Sequence, residues 1–294
     1  MRGAGVTAES PRLSTVIMRR IYNAMFSKSS VKIGLVALTV LSSVATTAYA
    51  IHSWGDYHWA RESNPFTLRV VDSVTSGWDS YLDTANADWS VSGMLNLTKE
   101  NGSTKSVDRL RCRPIAGKIR ACNYKYGNNG WLGLAQIWIS GNHIVQGVTK
   151  VNDSYFNTAT YNTPAWRKLV MCQEIAHDFG LDHQDENFNN ANLGSSMDYT
   201  NDPDGGLGGA VTNDTSNEHP NAHDYEQIET IYTHLDSITT IKQAIAGLGG
   251  DRGDAHDVIE WGKSIRKDGK SRTSLYERDL GKGDKVFTFI FWAE

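Results

Sequence analysis

The amino-acid sequence predicts an α+β fold in which a twisted mixed sheet packs on two helices and a β-hairpin follows at the C-terminal end. Two patterns indicate this class. Apolar residues recur at helical spacing in residues 163–180 and 223–236, whereas residues 107–151 contain short β-like runs separated by Gly and Pro. With 39% hydrophobic and 21% charged residues, the 294-residue chain can form a core, which excludes a wholly disordered or collagen-like protein.

The N-terminal 50 residues have the three parts of an export signal. An apolar run at residues 33–45 follows four basic residues and precedes Ala48-Tyr49-Ala50, a small-x-small cleavage site. The alternative is a membrane anchor, but a spanning helix needs about 20 apolar residues and this run ends in Ser and Thr. We therefore expect a signal peptide over 1–50, and a secreted mature chain without a membrane span.

The charge of the remaining chain argues against a general nucleic-acid binder. Residues 1–50 contain six of the 29 basic residues and one of the 33 acidic residues, which leaves 23 basic and 32 acidic residues and a net charge of −9. No long basic block interrupts this acidic chain, and phosphate backbones are bound by clustered Lys and Arg. The sequence does not indicate an oligomeric state.

The elements before residue 163 are expected in the order strand, helix, then several strands. Residues 66–71 (FTLRVV) are β-like, and residues 78–89 place apolar side chains at helical intervals. Turn residues then separate four further predicted strands, at 109–112, 118–124, 132–139 and 144–151.

The most clearly delimited helix begins at Thr163-Pro164 and ends at Gly180. A hydroxyl at the N-cap and a proline at the first helical position are typical of helix starts, and glycine is typical of helix ends. The irregular stretch 181–222 is too long for a simple connector and is expected to be functional.

Two elements are expected after residue 222. Residues 223–236 predict a second amphipathic helix, and residues 273–279 and 285–292 predict a hairpin joined by Gly281-Lys282-Gly283.

Three cysteines are present. Cys112 and Cys122 close a short loop and are expected to be bridged in an oxidising compartment. Cys172 is then unpaired, and its position in an apolar helical stretch favours a buried thiol over a nucleophile.

Several residues that could bind a metal ion lie in and just after the helix that begins at Thr163-Pro164. Gln173 and His177 are four residues apart and share one helical face, and Glu174 lies beside them. Gly180 can adopt a left-handed conformation that turns the chain back, so His183 can approach the same metal.

These residues, together with Met197 and Tyr199 further on, resemble the metzincins, the clan of zinc endopeptidases with the signature HExxHxxGxxH and a following Met-turn. The motif similarity covers residues 173–232. The resemblance implies the general base Glu174, the zinc ligands His177 and His183, the motif glycine Gly180, the Met-turn residue Met197 and the metal-proximal tyrosine Tyr199. It also implies a metalloprotease domain over 51–236, followed by an extension, 237–294, that carries the hairpin.

One position departs from the metzincin pattern, because Gln173 stands where the first zinc-binding His belongs. An amide oxygen is a weaker zinc donor than an imidazole, so we expect a weaker site if Gln173 completes it. By the resemblance, Glu174 takes a proton from a zinc-activated water that attacks a peptide carbonyl, and Tyr199 stabilises the oxyanion. Residues 132–139 are expected as an edge strand that pairs with an extended protein or peptide substrate.

Three interpretations of function stay open at this point. The first is a secreted zinc endopeptidase, and the second is a pseudoprotease that has lost a ligand and binds a peptide or protein in its cleft. The third is a calcium-dependent adhesion surface, suggested by the acidic residues Asp182, Asp185, Glu186, Asp198, Asp202 and Asp204. Four scattered histidines, each available to replace the missing zinc ligand, are expected at the surface or at caps: His58, His143, His219 and His223.

Overall fold

The computed structural model describes residues 53–241 and 258–294. The expected signal peptide, 1–50, lies outside these residues. The described chain is of mixed α+β class. Its strands are β1 (His58–Trp59), β2 (Phe66–Ser73), β3 (Leu95–Asn101), β4 (Ile119–Tyr124), β5 (Trp131–Ser140), β6 (His143–Asn152), β7 (Lys263–Lys267), β8 (Thr273–Gly281) and β9 (Asp284–Trp292). Its α-helices are α1 (Asp79–Trp89), α2 (Ser106–Arg111), α3 (Asp153–Phe156), α4 (Pro164–His177) and α5 (Ala222–Ile231), with a 3₁₀ turn at Val258–Trp261.

The nine strands of the described residues belong to one mixed sheet, in the order β3-β2-β4-β6-β5-β9-β8-β7, with β1 also pairing to β6. Strands β3, β2, β4 and β6 run parallel, whereas β5 is antiparallel to both of its neighbours. The strands that end the chain, β7 to β9, form an antiparallel meander. The sheet therefore changes from parallel to antiparallel pairing at β5.

Helix α4 begins as the sequence predicts, with the Thr163 hydroxyl accepting a hydrogen bond from the Trp166 N–H at 3.3 Å and Pro164 in the first turn. Two glycines of the sheet allow this helix to lie close against it. A Cβ on Gly133 would stand 2.6 Å from Oε1 of Glu174, and one on Gly147 would stand 2.7 Å from Oδ1 of Asp178. A larger residue at either strand position would collide with α4 or with Asp178, which follows it.

The chain reverses direction after α4 at Gly180, which has φ +109°. A Cβ there would lie 2.7 Å from the carbonyl oxygen of Tyr57, so both the conformation and the space require glycine. The helix itself ends three residues earlier than the glycine, at His177. This reversal carries His183 back toward His177.

The predicted strand at 109–112 is wrong, because these residues lie in and just after helix α2. Cys112 follows the helix with φ +42° and is disulfide-bonded to Cys122 in β4, with 6.0 Å between the two Cα atoms. The Arg109 side chain donates to the carbonyl oxygens of Thr104 and Asn123. These contacts between separate segments stabilise the short helix α2. The pattern of residues 109–112 alone does not indicate it.

The expectation that residues 132–139 form an edge strand is also wrong. Strand β5 is paired with β6 on one side and with β9 on the other, from Ser140 opposite Asp284 to Trp131 opposite Trp292. The predicted C-terminal hairpin, β8–β9, therefore completes the same sheet instead of standing apart from it. None of the described helices is long and apolar enough to cross a membrane.

Candidate metal centre

The structure brings the two predicted histidine ligands together. His177 lies at the end of α4 and His183 follows the Gly180 reversal, and their Nε2 atoms are 2.9 Å apart. Both rings are buried and cross at 85°. Two imidazole nitrogens that face one another at this distance are arranged as neighbouring ligands of one ion are.

Hydrogen bonds on the far side of each ring indicate the tautomers. Nδ1 of His177 lies 2.8 Å from the carbonyl oxygen of Leu181, so this nitrogen carries the proton. Nδ1 of His183 lies 2.5 Å from Oε1 of Glu186 and likewise donates. Both Nε2 atoms then present lone pairs to each other, an unfavourable contact unless a cation lies between them. Burial lowers the pKa of His177 well below its usual value, with a further contribution from the neighbouring His183, which disfavours a proton in that place.

Gln173 is fully buried one turn before His177. Its side-chain N–H donates to the carbonyl oxygen of Ser196 at 2.9 Å, and its amide oxygen, also buried, has no hydrogen-bond partner. An orphaned buried acceptor is costly in an apolar interior. The donor types fit a divalent metal: an imidazole nitrogen and an unsatisfied amide oxygen on the last turns of α4, and a second imidazole nitrogen from His183 after the Gly180 reversal.

Glu174 is also fully buried, and among the described residues neither of its carboxylate oxygens has a hydrogen-bond partner. Burial raises the pKa of this carboxyl group well above its usual value, and the nearby Asp178 raises it further. The backbone N–H of Phe291 in β9 faces the carboxylate and opposes this shift without overcoming it. The protonated form of Glu174 is therefore favoured in this closed arrangement.

The turn that contains Met197 and Tyr199 contacts His183 through the tyrosine. Met197 is buried, and its N–H donates to the Ser195 hydroxyl oxygen at 2.9 Å. The Tyr199 ring packs against His183, with 4.5 Å between ring centroids. Its hydroxyl donates to the carbonyl oxygen of Ile290 in β9 at 2.6 Å.

Strand β9 lies against the centre. The ring of Phe289 stacks on His177, with centroids 4.1 Å apart and planes 10° from parallel. Gln173, Glu174 and His177 are all 0% exposed. The sequence indicated the hairpin but did not indicate that it would lie on this site.

Arg266 of β7 is a second residue that sequence reasoning missed. Its guanidinium donates to Asp182 and Glu186, and it also approaches Nδ1 of His183 at 3.3 Å. Asp182, His183 and Glu186 form one of two groups whose ligand atoms all lie within 4.8 Å in the described part of the chain, and neither group includes His177. The sequence suggested calcium at these acidic residues, but the cation that lies against them in the structure is the Arg266 guanidinium.

Neither the models of known protein families nor the curated proteins contain a significant match to this chain.

Proposed function

We propose that this protein is a zinc-dependent endopeptidase of the metzincin type, held closed by its own C-terminal strand in the place of a substrate. One observation carries the proposal: the Tyr199 hydroxyl donates to the Ile290 carbonyl oxygen at 2.6 Å, and the next residue of β9, Phe291, pairs with Gly133, the glycine that packs against Glu174. The peptide bond between Ile290 and Phe291 therefore has Tyr199 at its oxygen and Glu174 near its nitrogen. A peptide bond to be hydrolysed needs a donor at its oxygen and a proton source at its nitrogen.

The backbone of β9 binds in the manner of an extended peptide. It pairs antiparallel with β5 along Trp131–Ser140, which is the β-addition mode of peptide recognition. A substrate that replaced β9 would gain the same ladder. Its carbonyl would meet the Tyr199 hydroxyl, and its amide nitrogen would meet Glu174.

The residues that would hold zinc are His177 and His183, with the Gln173 amide oxygen as the third donor. When bound, zinc lowers the pKa of a coordinated water and polarises a carbonyl. Glu174 is placed to exchange a proton with the amide nitrogen, and its raised pKa suits a residue that must carry a proton. Leu181 and Glu186 orient the two imidazoles from behind.

Latency follows from this arrangement, because substrate cannot reach the centre while Phe289 lies on His177. We therefore expect the zinc-loaded chain to cleave an unstructured protein slowly, and Phe289→Leu to cleave it faster. Phe287→Leu is the matched control, since Phe287 lies on the same face of β9 but packs on Trp54 and Tyr57. Equal rates for the parent and both variants would argue against cover by Phe289.

The chemistry is tested separately by Glu174→Gln and by a chelator. Each should abolish cleavage, with zinc restoring the activity of the chelated parent. Cleavage that survives both treatments would refute a zinc-dependent mechanism.

A second candidate function is a pseudoprotease that binds peptides without cutting them. It is favoured by Gln173, whose side-chain N–H is engaged by Ser196 and whose amide oxygen is a weak zinc donor. Gln173→His separates the two proposals. If the parent has neither zinc nor activity and the variant gains both, the binding module is the better description.

A further inference from the structure

A second cluster of metal-ligating side chains lies outside the centre described above. The sequence treats His58 and His143 as isolated, but the structure places them together with His234 and Asp236. Nε2 of His58 and Nε2 of His143 each lie 3.3 Å from Oδ1 of Asp236. Nε2 of His234 lies 3.1 Å from Nε2 of His58 and 3.8 Å from the same carboxylate oxygen. Four potential ligand atoms thus converge from three separate segments of the chain.

The distances between these atoms suit one small ion. Four ligands at about 2.0–2.1 Å from a tetrahedral zinc are separated from each other by about 3.3 Å. Four of the six separations between these atoms run from 3.1 to 3.8 Å, and the ligand atoms of His58, His143 and Asp236 all lie within 4.8 Å of one another. The rings of His143 and His234 are close to perpendicular to that of His58, at 85° and 89°, so they approach a common point from different directions.

The groups behind the ligands hold them in a metal-binding form. Nδ1 of His58 lies 2.6 Å from the carbonyl oxygen of Asp56, so the proton is on Nδ1 and the lone pair of Nε2 faces the cluster. Oδ2 of Asp236 accepts from the backbone N–H and the guanidinium of Arg61, at 3.1 and 2.9 Å. Oδ1 is thereby left to face the three imidazoles.

We propose that His58, His143 and Asp236 bind a divalent transition-metal ion of the zinc type, with His234 beside them as a further donor. Imidazole nitrogens and a carboxylate oxygen are donors that zinc takes in proteins. The side chains of His143 and His234 are 26% and 52% exposed, and a cleft of about 380 Å³ lined by His58 and His234 gives the ion a way in.

The ion would tie together segments that support the candidate active centre. His58 belongs to β1, His143 begins β6, and His234 and Asp236 follow α5. In the same region the Trp59 indole N–H donates to the carbonyl oxygen of Asp178, and the Tyr232 hydroxyl donates to that of Phe179. These are the residues between His177 and the Gly180 reversal. Metal binding at the cluster is thus expected to stabilise the turn that carries His183.

The test is a count of metal ions on the full chain. Parent protein and the double variant His143→Gln/His234→Gln are dialysed against zinc, then against buffer, and measured by elemental analysis. Both histidines are partly exposed and Gln keeps a polar side chain, so the fold should be retained. His219→Gln is the matched control, since His219 is 50% exposed and pairs with Asp88 instead.

We expect the double variant to hold one ion fewer than the parent and the control. This difference of one ion per chain is expected whether or not His177 and His183 bind zinc. The test therefore remains valid even if the proposed protease activity is not found. The loss of two ligands should weaken binding by more than the roughly 10–100-fold seen when only supporting residues are changed.

A second measurement uses cobalt(II) in place of zinc. The visible absorption of a tetrahedral, histidine-rich cobalt site should appear in the parent and in His219→Gln. The double variant should lack the part of this absorption that comes from the proposed site. Zinc should also raise the melting temperature of the parent more than that of the double variant. Equal metal content and equal thermal shifts in the parent and the double variant would overturn the proposal.

Discussion

Replacing Asp198 by Asn should remove a pH dependence of stability that originates in the turn after Met197. The Asp198 side chain is buried. Its Oδ2 accepts hydrogen bonds from the Leu193 N–H at 2.9 Å and from Nδ2 of Asn217 at 2.8 Å, whereas Oδ1 has no partner. Burial outweighs these two hydrogen bonds and raises the pKa of Asp198 to about 7.

The magnitude follows from the difference in pKa between the folded and unfolded states. An unfolded Asp has a pKa of about 3.9, so between about pH 4 and 7 the folded protein holds a proton that the unfolded chain has released. Because the folded pKa is raised, this contribution to stability is complete below about pH 4 and is lost as the pH rises toward 7. At about 1.36 kcal/mol per pKa unit, the penalty is about 1.5 kcal/mol at pH 5 and about 4 kcal/mol at pH 8.

The assay is urea unfolding of the parent and of Asp198→Asn at several pH values from about 5 to 8. Asn keeps an oxygen that can accept from Leu193 and Asn217, but it cannot ionise. As the pH rises from about 5 to 8, the free energy of unfolding of the variant should therefore increase by about 2–3 kcal/mol relative to that of the parent. Glu229→Gln, at an exposed position of α5, serves as the control and should run parallel to the parent. Parallel curves for Asp198→Asn as well would refute the conclusion that burial dominates the Asp198 carboxyl group.

Three further substitutions test the packing around the candidate centre, each by the free energy of urea unfolding. Gly133→Ala should cost about 1–3 kcal/mol, because the new methyl group would stand 2.5–2.6 Å from Val170 and Glu174; no loss would mean that α4 moves away from the sheet without cost. Tyr199→Phe should cost about 1–2 kcal/mol, since the buried Ile290 carbonyl loses its donor, and an unchanged stability would indicate that water replaces the hydroxyl. Arg266→Met should cost about 1–3 kcal/mol by leaving the buried Asp182 and the half-buried Glu186 without their cation, and a gain in stability would contradict the ion pairs described for Arg266.

Local sequence signals predicted the elements that carry the candidate metal ligands. Thr163 and Pro164 give the start of α4 from cap chemistry alone, and the spacing of Gln173 and His177 places both on one face of that helix. Gly180 has the positive φ that its type suggested. These features depend on residues within a few positions of one another, which is the range over which backbone propensity and helical spacing act.

The same signals failed where contacts between distant segments decide the conformation. Helix α2 is an example, because the bond from Cys112 to Cys122 and the contacts of Arg109 determine a turn that the pattern of residues 109–112 does not. Strand β5 is another example. Nothing in its own sequence shows whether one or both of its sides will be paired with other strands.

The sequence by itself determined which residues stand on α4 and how the chain turns back behind it. Only the tertiary structure decided that β9 pairs with β5, that Phe289 stacks on His177, and that His58, His143, His234 and Asp236 meet. The physical reason is the range of the interactions. Helix caps and glycine turns are local, whereas strand pairing and the burial of aromatic and charged groups here join residues more than about eighty positions apart, where local periodicity carries no information.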